Sequence, residues 1–251
     1  MNSLLAAFAL YSRIPVREPS YEPEKLRYIM CFFPLVGAAC GLILIAAGAL
    51  IKELDVPAVF GACILTAVPV FFTGGIHLDG FMDTCDALAS LGDTKKKLSV
   101  LKDPHTGAFA VISCCLLFLL EAGSYSVLSL RTIAVVGAGF ILSRSFSGFA
   151  AVSFKNARGD GMLYSFTESA DLKTNKTALI IWAAVGIVFM VLIRPVCGLT
   201  AAAAAFIFFV YYRRRAYAEF GGITGDLEGW FLTICEALIA VVCALAECII
   251  L

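Results

Sequence analysis

Long apolar runs dominate the chain, and polar connections separate them. Seven runs approach the roughly 20 apolar residues that a helix needs to cross the hydrocarbon core of a bilayer. They cover residues 29–51, 57–75, 108–129, 132–152, 177–193, 195–212 and 228–250. The pattern predicts an all-α integral membrane protein, a polytopic helical bundle of about seven transmembrane helices, with a range of six to eight.

The composition supports a membrane protein. Of the 251 residues, 61% are hydrophobic and 15% are charged, whereas a soluble domain has about 45–50% apolar and about 25% charged residues. A bilayer accommodates such an excess because it acts as an apolar solvent. The formal net charge is +0, so no strongly basic face points to nucleic acid, and we expect no nucleic-acid partner.

The N-terminal residues 1–28 are interpreted as an amphipathic interfacial segment. Leu4–Leu10 is apolar, and Arg13, Pro15 and Arg17 follow it. No basic region precedes the apolar stretch, so no cleavable signal peptide is expected. No separate soluble domain is visible, and residues 1–251 are treated as one membrane-embedded domain.

The positive residues predict the orientation of the spans. Fifteen of the 19 lysines and arginines fall in four polar segments, residues 1–28, 76–107, 153–176 and 213–227. The alternate segments hold only Lys52, Arg131 and Arg194. Because short cytoplasmic loops are enriched in Lys and Arg, we expect a cytoplasmic N-terminus, seven spans and an external C-terminus.

Three aspartates follow the second predicted span. Asp79, Asp83 and Asp86 have the spacing i, i+4, i+7, which places them within about 60° of one another on a helix. Such carboxylates repel each other unless a cation joins them, and ligands that offer only oxygen suit Mg²⁺ or Mn²⁺. The alternative is a solvated acidic helix face. We expect a metal site, because the motif directly follows a spanning helix and Gly74-Gly75.

Two further residue groups precede the third span. His77 is interpreted as a substrate contact, because zinc would need more His or Cys partners than the sequence supplies. The second group is Lys102-Asp103, in a turn marked by Pro104 and Gly107. It is either a charge pair at a helix end or part of an active site.

Later motifs add basic and acidic candidates. Arg158, in Arg158-Gly159-Asp160-Gly161, could grip a phosphate, or it could be an ordinary positive-inside charge in a turn. Gly221-Gly222-Ile223-Thr224-Gly225-Asp226 echoes the Gly-Gly-Ile-x-x-Asp pattern that ends at Asp79.

Four charged residues fall within the predicted spans. Glu236 lies deep in the seventh span, where an ionisable group is costly and usually functional or paired. Arg144, in the fourth span, is a candidate partner for it. Glu121 and Glu247 lie near span ends and are interpreted as interfacial charges.

Together these groups favour transfer of a phosphate group held by a divalent metal, at the cytoplasmic surface of the membrane. The residues themselves name no substrate.

His77-Leu78-Asp79-Gly80-x-x-Asp83-x-x-Asp86 resembles the signature of the cobalamin synthase family, the adenosylcobinamide-GDP ribazoletransferases. Further motifs resemble those of the family in the same order and extend the likeness over nearly the whole chain. They are Ser12-Arg13-Ile14-Pro15-Val16, Phe33-Pro34-Leu35-Val36-Gly37, Lys102-Asp103 with Gly107-Ala108-Phe109, Ala157-Arg158 with Gly161, and Gly221-Gly222-x-Thr224-Gly225-Asp226.

The resemblance implies a Mg²⁺-dependent reaction in the bacterial cytoplasmic (inner) membrane, with the active site facing the cytoplasm. The 3′-hydroxyl of α-ribazole or its 5′-phosphate would attack adenosylcobinamide-GDP, a corrinoid nucleotide, and release GMP. The product would be adenosylcobalamin or its 5′-phosphate. The lipid bilayer is the other expected partner, and the sequence leaves open a homo-oligomer or a complex with other cobalamin-assembly enzymes.

The roles of the site residues are hypotheses. Asp79, Asp83 and Asp86 would hold Mg²⁺, and Asp226 or Asp103 would complete the site or accept the hydroxyl proton. Lys102 and Arg158 would neutralise phosphate charge. His77, Arg13 and Thr224 are the other expected substrate contacts.

The sequence departs from the family pattern at two places. Thr233 stands where family members often carry an acidic residue, and Pro104-His105-Thr106 replaces the usual polar and basic residues. We therefore assign His105 no catalytic role.

Two other functions would also use some of these residues. A CDP-alcohol phosphotransferase of phospholipid synthesis also uses aspartates at a membrane surface, but no arginine follows Asp79-Gly80 at the position its signature requires. A cation-coupled membrane transporter would use Glu236 and Arg144. However, most carboxylates lie at the cytoplasmic edge, and no clear repeat covers the spans.

Overall fold

The computed structural model describes residues 2–17, 26–159 and 170–250, and in this part its regular elements are all helices, with one isolated β-bridge between Asn156 and Ile223. We number the ten helices of the described chain α1 to α10. They are α1 Asn2–Tyr11, α2 Ile29–Glu53, α3 Ala58–Thr73, α4 Ile76–Ala89, α5 Thr94–Val100, α6 Ala108–Tyr125, α7 Leu130–Ser153, α8 Leu172–Ile193, α9 Pro195–Phe220 and α10 Gly225–Ile250. The predicted fold class, a polytopic helical bundle, is confirmed.

Six helices are long and apolar enough to cross a membrane: α2, α6, α7, α8, α9 and α10. The other predicted span, 57–75, is more complex. Its apolar part is α3, which has 16 residues, and the chain then bends by 97° into α4. The count is therefore six, or seven if the bent pair forms one span, within the expected range. We treat α4, which carries the acidic motif, as lying outside the spanning segments.

Helix α7 forms the centre of the bundle and packs against α2, α8, α9 and α10. Small residues allow this close packing, as is common between membrane helices. A Cβ atom on Gly41 of α2 would collide with the Gly137 carbonyl of α7, and one on Gly37 would collide with the Phe140 carbonyl. The hydrophobic core therefore lies around α7.

The turns place alternate helix ends at the same end of the bundle. The end of α3 lies next to the segment after α1, because the Arg13 N–H donates to the Phe72 carbonyl at 2.7 Å. At the other end of the bundle, Arg194 Nη1 lies 2.6 Å from Glu247 Oε1, and Thr132 donates to the same carboxylate. These contacts join the start of α7, the α8–α9 turn and the end of α10.

The expectation for Glu247 was wrong in detail. It lies near the end of its span as predicted, but it is 3% exposed and ion-paired rather than an interfacial charge in water. Glu121 is half-buried and lines a small cavity with Glu236. Buried carboxylates with polar partners cost less than isolated ones, and the partners come from distant helices that the local sequence does not indicate.

Helix α1 is apolar along its length and carries no charged side chain. Its small face, Ser3, Ala6 and Ala7, is buried, and the helix packs against α2. The polar part of the expected amphipathic segment therefore lies in Arg13 and Arg17, after the helix. Residues 18–25 lie outside the described part.

Candidate functional site

Two glycines turn the chain from α3 into α4. Gly74 and Gly75 have φ values of +69° and +83°, a region that glycine adopts without steric cost. Gly74 ends α3 and the Arg13 side chain packs directly against it, where a Cβ atom would collide with the guanidinium. The sharp bend brings α4 and Arg13 to the same end of the bundle.

The acidic motif lies on α4, as the spacing predicts. Asp79 is exposed, whereas Asp83 and Asp86 are half-buried. Burial and the nearby carboxylates of Asp79, Asp226 and Asp86 raise the pKa of Asp83 to about 6, against the opposing charge of Arg158. The predicted acidic face is therefore also close to two residues from distant parts of the chain.

Asp86 has a structural role. Its carboxylate accepts hydrogen bonds from the Gly107 N–H at 2.5 Å and the Ala110 N–H at 2.9 Å. It thus caps the N-terminus of α6, where backbone N–H groups have no partner within the helix. These bonds occupy part of its hydrogen-bonding capacity, and its role as a metal ligand stays a prediction.

A short backbone clamp holds Arg158 above the start of α10. The Ile223 N–H donates to the Lys155 carbonyl at 2.9 Å, and the Ala157 N–H donates to the Ile223 carbonyl at 2.8 Å. A Cβ atom on Gly222 would collide with the Lys155 carbonyl, so the close approach requires glycine. The side chain of Asn156 then accepts bonds from the N–H groups of Arg158 and Gly159.

Arg158 and Asp226 form the charged centre of this region. Arg158 Nη2 lies 3.2 Å from Asp226 Oδ2, and the two side chains are 17% and 27% exposed. Among the described residues, Nε and Nη2 of Arg158 and Oδ2 of Asp226 are buried without a well-formed hydrogen bond. Nη2 and Oδ2 face each other in the ion pair, so Nε of Arg158 is the atom of this pair that points to a ligand, because unsatisfied buried groups are rare in folded proteins. Asp160 and Gly161, of the same motif, lie outside the described part.

Helices α4 and α10 pack closely because glycines face the contact. A Cβ atom on Gly80 would lie 2.8 Å from the Asp226 carbonyl oxygen, and one on Gly229 would lie 2.8 Å from the His77 carbonyl oxygen. The Thr233 hydroxyl donates to the same His77 carbonyl at 3.2 Å. Thr233 thus ties α10 to α4.

A cavity of about 230 Å³ opens beside this contact. Asp79 and Asp226 line it together with His77, Tyr11 and Phe33. Burial, together with the positive charge of Arg144, lowers the pKa of His77 to about 3. His77 is therefore neutral at physiological pH and can act as a hydrogen-bonding group rather than as a cation.

Glu228 also lines this cavity, and it was not among the residues predicted from the sequence. It is 6% exposed, and its carboxylate accepts bonds from Ser147 at 2.5 Å and from Tyr212 at 3.0 Å. An acidic residue at the start of a helix is common, so its position alone does not indicate a functional role. The partners that make it a buried site residue come from α7 and α9.

Lys102 and Asp103 follow α5, in the turn before α6. Asp103 is exposed, and its Oδ1 accepts from the His105 backbone N–H at 3.0 Å and lies 2.7 Å from the His105 ring. These contacts lower the pKa of Asp103. The Lys102 N–H donates to the Ser99 carbonyl.

The buried Thr224 hydroxyl caps α10 by accepting from the Leu227 N–H at 3.2 Å. The structure thus shows local roles for Asp103 and Thr224, and their expected functional roles stay predictions, as does that of Lys102.

The expected pairing of Arg144 with Glu236 is confirmed. Arg144 Nη1 lies 2.5 Å from Glu236 Oε1, and the Ser143 hydroxyl donates to the same oxygen at 2.8 Å. Arg144 is fully buried. The pair joins α7 to α10 below the site and neutralises both charges within the bundle.

The donor chemistry around α4 fits a hard divalent cation. Asp79, Asp83 and Asp226 offer only oxygen ligands, which Mg²⁺ prefers. In the described ranges, no three His, Cys, Asp or Glu side chains are arranged to enclose a metal ion. Carboxylates close together repel one another unless a cation joins them. The observation that favours a cation here is that the carboxylates of Asp79, Asp226 and Asp86 lie close enough to Asp83 to add to the effect of burial in raising its pKa.

Known proteins match almost the entire chain. The family model described as Cobalamin-5-phosphate synthase matches residues 3–244. A protein of Lachnoclostridium phytofermentans named adenosylcobinamide-GDP ribazoletransferase is 37% identical over 251 residues, covering 100% of this chain and 96% of its own length. Proteins of the same name from Clostridium perfringens strain 13 and Pseudomonas aeruginosa strain UCBPP-PA14 are 31% and 30% identical, over 91% and 98% of both chains.

No solved structure is significantly similar to the chain. The family match spans the acidic face of α4, the Arg158 clamp and the start of α10, which are the elements that form the site. The chain therefore belongs to the cobalamin-5-phosphate synthase family.

Proposed function

We propose that this protein is an adenosylcobinamide-GDP ribazoletransferase that joins α-ribazole or its 5′-phosphate to the corrinoid nucleotide. The observation that carries the proposal is a cavity lined by Asp79 and Asp226, with Arg158 ion-paired to Asp226. This arrangement combines carboxylates for a cation, a guanidinium for phosphate oxygens and space for an organic substrate. The family match supplies the identity of the substrates.

The reaction transfers a substituted phosphate group. The ribose 3′-oxygen of α-ribazole forms a bond to the phosphorus that carries the cobinamide aminopropanol. The bond from this phosphorus to the bridging oxygen of the diphosphate breaks, and GMP leaves with that oxygen. The hydroxyl proton must be accepted by a base, and charge builds up on the departing phosphate.

Asp79, Asp83 and Asp226 are the residues that we propose hold Mg²⁺. When bound, the ion would neutralise diphosphate charge and favour departure of GMP. Asp86 keeps α6 docked on α4 through its bonds to Gly107 and Ala110, and it can add a ligand only through its remaining lone pairs.

Arg158 and Asp226 have the clearest roles among the other groups. The guanidinium of Arg158, whose Nε has no hydrogen-bond partner among the described residues, offers a forked set of donors for a phosphate. Asp226 lines the cavity, and we assign its carboxylate acceptance of the hydroxyl proton. Asp103, which is exposed, is the second candidate for this role.

Four further residues are proposed substrate contacts at the same end of the bundle. Arg13, beside the end of α3, and Lys102, after α5, would neutralise phosphate charge. Thr224 would position the start of α10 against the substrate through its cap. His77 would contact the substrate as a neutral ring.

The site end of the bundle also carries most of the basic residues. We therefore propose that it faces the cytoplasm in the bacterial inner membrane, where nucleotide substrates are available. Lys52, Arg131 and Arg194 lie at the opposite end, near the α2–α3, α6–α7 and α8–α9 turns.

The test is one assay on purified protein in lipid vesicles, supplied with adenosylcobinamide-GDP, α-ribazole 5′-phosphate and Mg²⁺. We expect release of GMP that stops when the metal is chelated and returns when Mg²⁺ is restored. Release of CMP from a CDP-alcohol, with no GMP from the corrinoid, would support the phosphotransferase alternative and contradict the proposal.

Replacing Asp83 tests the metal assignment. Asp83→Asn should lower kcat at least about 100-fold, in the range seen when one group that stabilises transition-state charge is lost. Asp55→Asn is the matched control, because Asp55 is exposed, lies in a turn at φ +49°, and Asn tolerates that conformation. Full activity of Asp83→Asn at low Mg²⁺ would contradict the role of Asp83.

A further inference from the structure

The cavity beside Asp79 and Asp226 reaches from the exposed surface into the bundle. Asp79 is exposed, whereas Leu232, which also lines the cavity, is 1% exposed. Asp226 and Leu232 are six residues apart on α10, which corresponds to about 9 Å along a helix. The cavity is thus deep enough to hold a group attached to a substrate that reacts at its mouth.

Aromatic rings line this cavity. The rings of Tyr11 and Phe33 are 4.5 Å apart between centroids, and Tyr11 stacks on His77 at 6.2 Å and 20°. Met30 and Ala151 add apolar surface from α2 and α7. Such a lining binds flat rings through stacking and burial of apolar area.

The polar groups of the cavity are few, and most already have partners. Both oxygens of Glu228 accept bonds from protein hydroxyls, those of Ser147 and Tyr212. His77 Nε2 is buried and has no hydrogen-bond partner among the described residues. A ligand with one ring nitrogen available for a hydrogen bond would match this lining.

We propose that this cavity binds the base of the attacking nucleoside, the benzimidazole ring of α-ribazole. The inference rests on the proposed function and assigns a subsite within it. One ribose separates the base from the attacking 3′-hydroxyl, so a base in the cavity places that hydroxyl near Asp79 and Asp226. A dimethylbenzimidazole is flat and mostly apolar, and its one unsubstituted nitrogen can pair with His77.

The guanine base of the corrinoid nucleotide fits the cavity less well. It has donors and acceptors on several edges, and most would be left unpaired against an apolar lining. It is also separated from the reacting phosphorus by a further phosphate and a ribose. We therefore expect guanine to lie outside this cavity.

Ala151→Leu tests the assignment by filling part of the cavity. Ala151 is 6% exposed and lies on α7. We expect kcat/KM for α-ribazole, whose base is 5,6-dimethylbenzimidazole, to fall at least about 10-fold. This is the lower end of the loss that one extra methylene group causes in an apolar pocket. The riboside of unsubstituted benzimidazole, which is two methyl groups smaller, should lose no more than about 3-fold. KM for adenosylcobinamide-GDP should not change.

The control adds the same atoms elsewhere. Ala67→Leu extends a side chain in the open apolar grooves beside α3, and it should leave the preference between the two ribosides unchanged. Met30→Ala provides the opposite change, because enlarging the cavity should raise the relative rate with the larger naphthimidazole riboside.

The outcomes separate this inference from the proposed function. If wild-type protein releases no GMP, the proposed function fails. If wild-type protein is active but neither Ala151→Leu nor Met30→Ala changes the preference for ring size, the subsite is wrong. A rise in KM for adenosylcobinamide-GDP, with ring preference unchanged, would assign the cavity to the corrinoid nucleotide and overturn the proposal.

Discussion

Gly80 and Gly229 allow α4 and α10 to approach closely enough for their acidic residues to share one site. Each glycine faces backbone atoms of the other helix, and a Cβ atom at either position would lie 2.8 Å from a carbonyl oxygen. Backbone cannot move aside as the end of a flexible side chain can. These positions therefore tie the geometry of the carboxylates to the packing of the helices.

Gly80→Ala should destabilise the protein and impair the site. Because the added methyl group meets the backbone of Asp226, we expect a cost of about 1–3 kcal/mol, typical of overpacking, and a reduced kcat. The measurement is thermal unfolding in detergent, together with the GMP assay. Gly123→Ala is the control, since a Cβ atom at Gly123 of α6 meets no atom within 4 Å. Equal stability of the two variants would contradict the close packing.

Individual site residues could be predicted when the same residue type recurred at helical spacing along one helix. Asp79, Asp83 and Asp86 share a face of α4 because their spacing matches the helical period. Glu228 was missed because its significance depends on Ser147 and Tyr212, which lie 81 and 16 residues away. Asp86 was found, but its bonds to α6 were not, because its partners are 21 and 24 residues away and the packing of α4 on α6 is not visible in the local sequence.

At the scale of the elements, one ion pair joins α7 to α10 inside the bundle. Arg144 is fully buried, and Glu236 is 8% exposed. Both residues were identified from sequence because charges within apolar runs are rare and usually paired. Removing one partner would leave the other charge buried without compensation.

A double-mutant cycle tests this pair. Arg144→Met alone should cost about 3–5 kcal/mol, the range for breaking a buried ion pair, and Glu236→Met should have a similar effect. The double variant should regain much of that stability, because no uncompensated charge remains. Unfolding midpoints in detergent measure the cycle. A double variant whose loss equals the sum of the two single losses would show that the residues are not coupled.

The bent pair α3–α4 was only partly predicted from the sequence. The apolar run 57–75 predicted one span, and Gly74-Gly75 marked its end. The 97° turn depends on positive φ values at both glycines and on the Arg13 side chain that packs against Gly74. The echo at Gly221-Gly222-Ile223 has a related geometry, since Gly221 also ends a helix with φ +73°.

For the whole molecule, the contacts at the helix ends imply seven crossings of the bundle. Helix α3 starts after the short turn that follows α2 and ends beside Arg13. It therefore connects the two ends of the bundle although it has only 16 residues, about 24 Å of helix. With α3 counted, Ile29 at the start of α2 and residue 250 at the end of α10 lie at opposite ends.

A reporter fusion tests this topology. We expect a reporter fused after Leu251 to be active only outside the cytoplasm, and one fused at the N-terminus only inside. The physical reason is the concentration of Lys and Arg at the site end. A fusion after Thr94, at the start of α5, should report the same side as the N-terminus. Reporters at both termini on the same side would reduce the count to six crossings.

The sequence by itself determined the class of protein, the ends of most spans and the acidic motif, because these depend on local hydropathy, helical period and turn residues. Only the tertiary structure decided which motifs meet. The Arg158 clamp, the contact between α4 and α10, and the cavity with Glu228 join residues from up to five helices. The meeting of one end of α4 with the start of α10 follows from glycine contacts and polar partners that are distant in the chain. The distribution of Lys and Arg predicted that the candidate site residues lie at one end of the bundle. The packing of the helices determined which of these residues form the site.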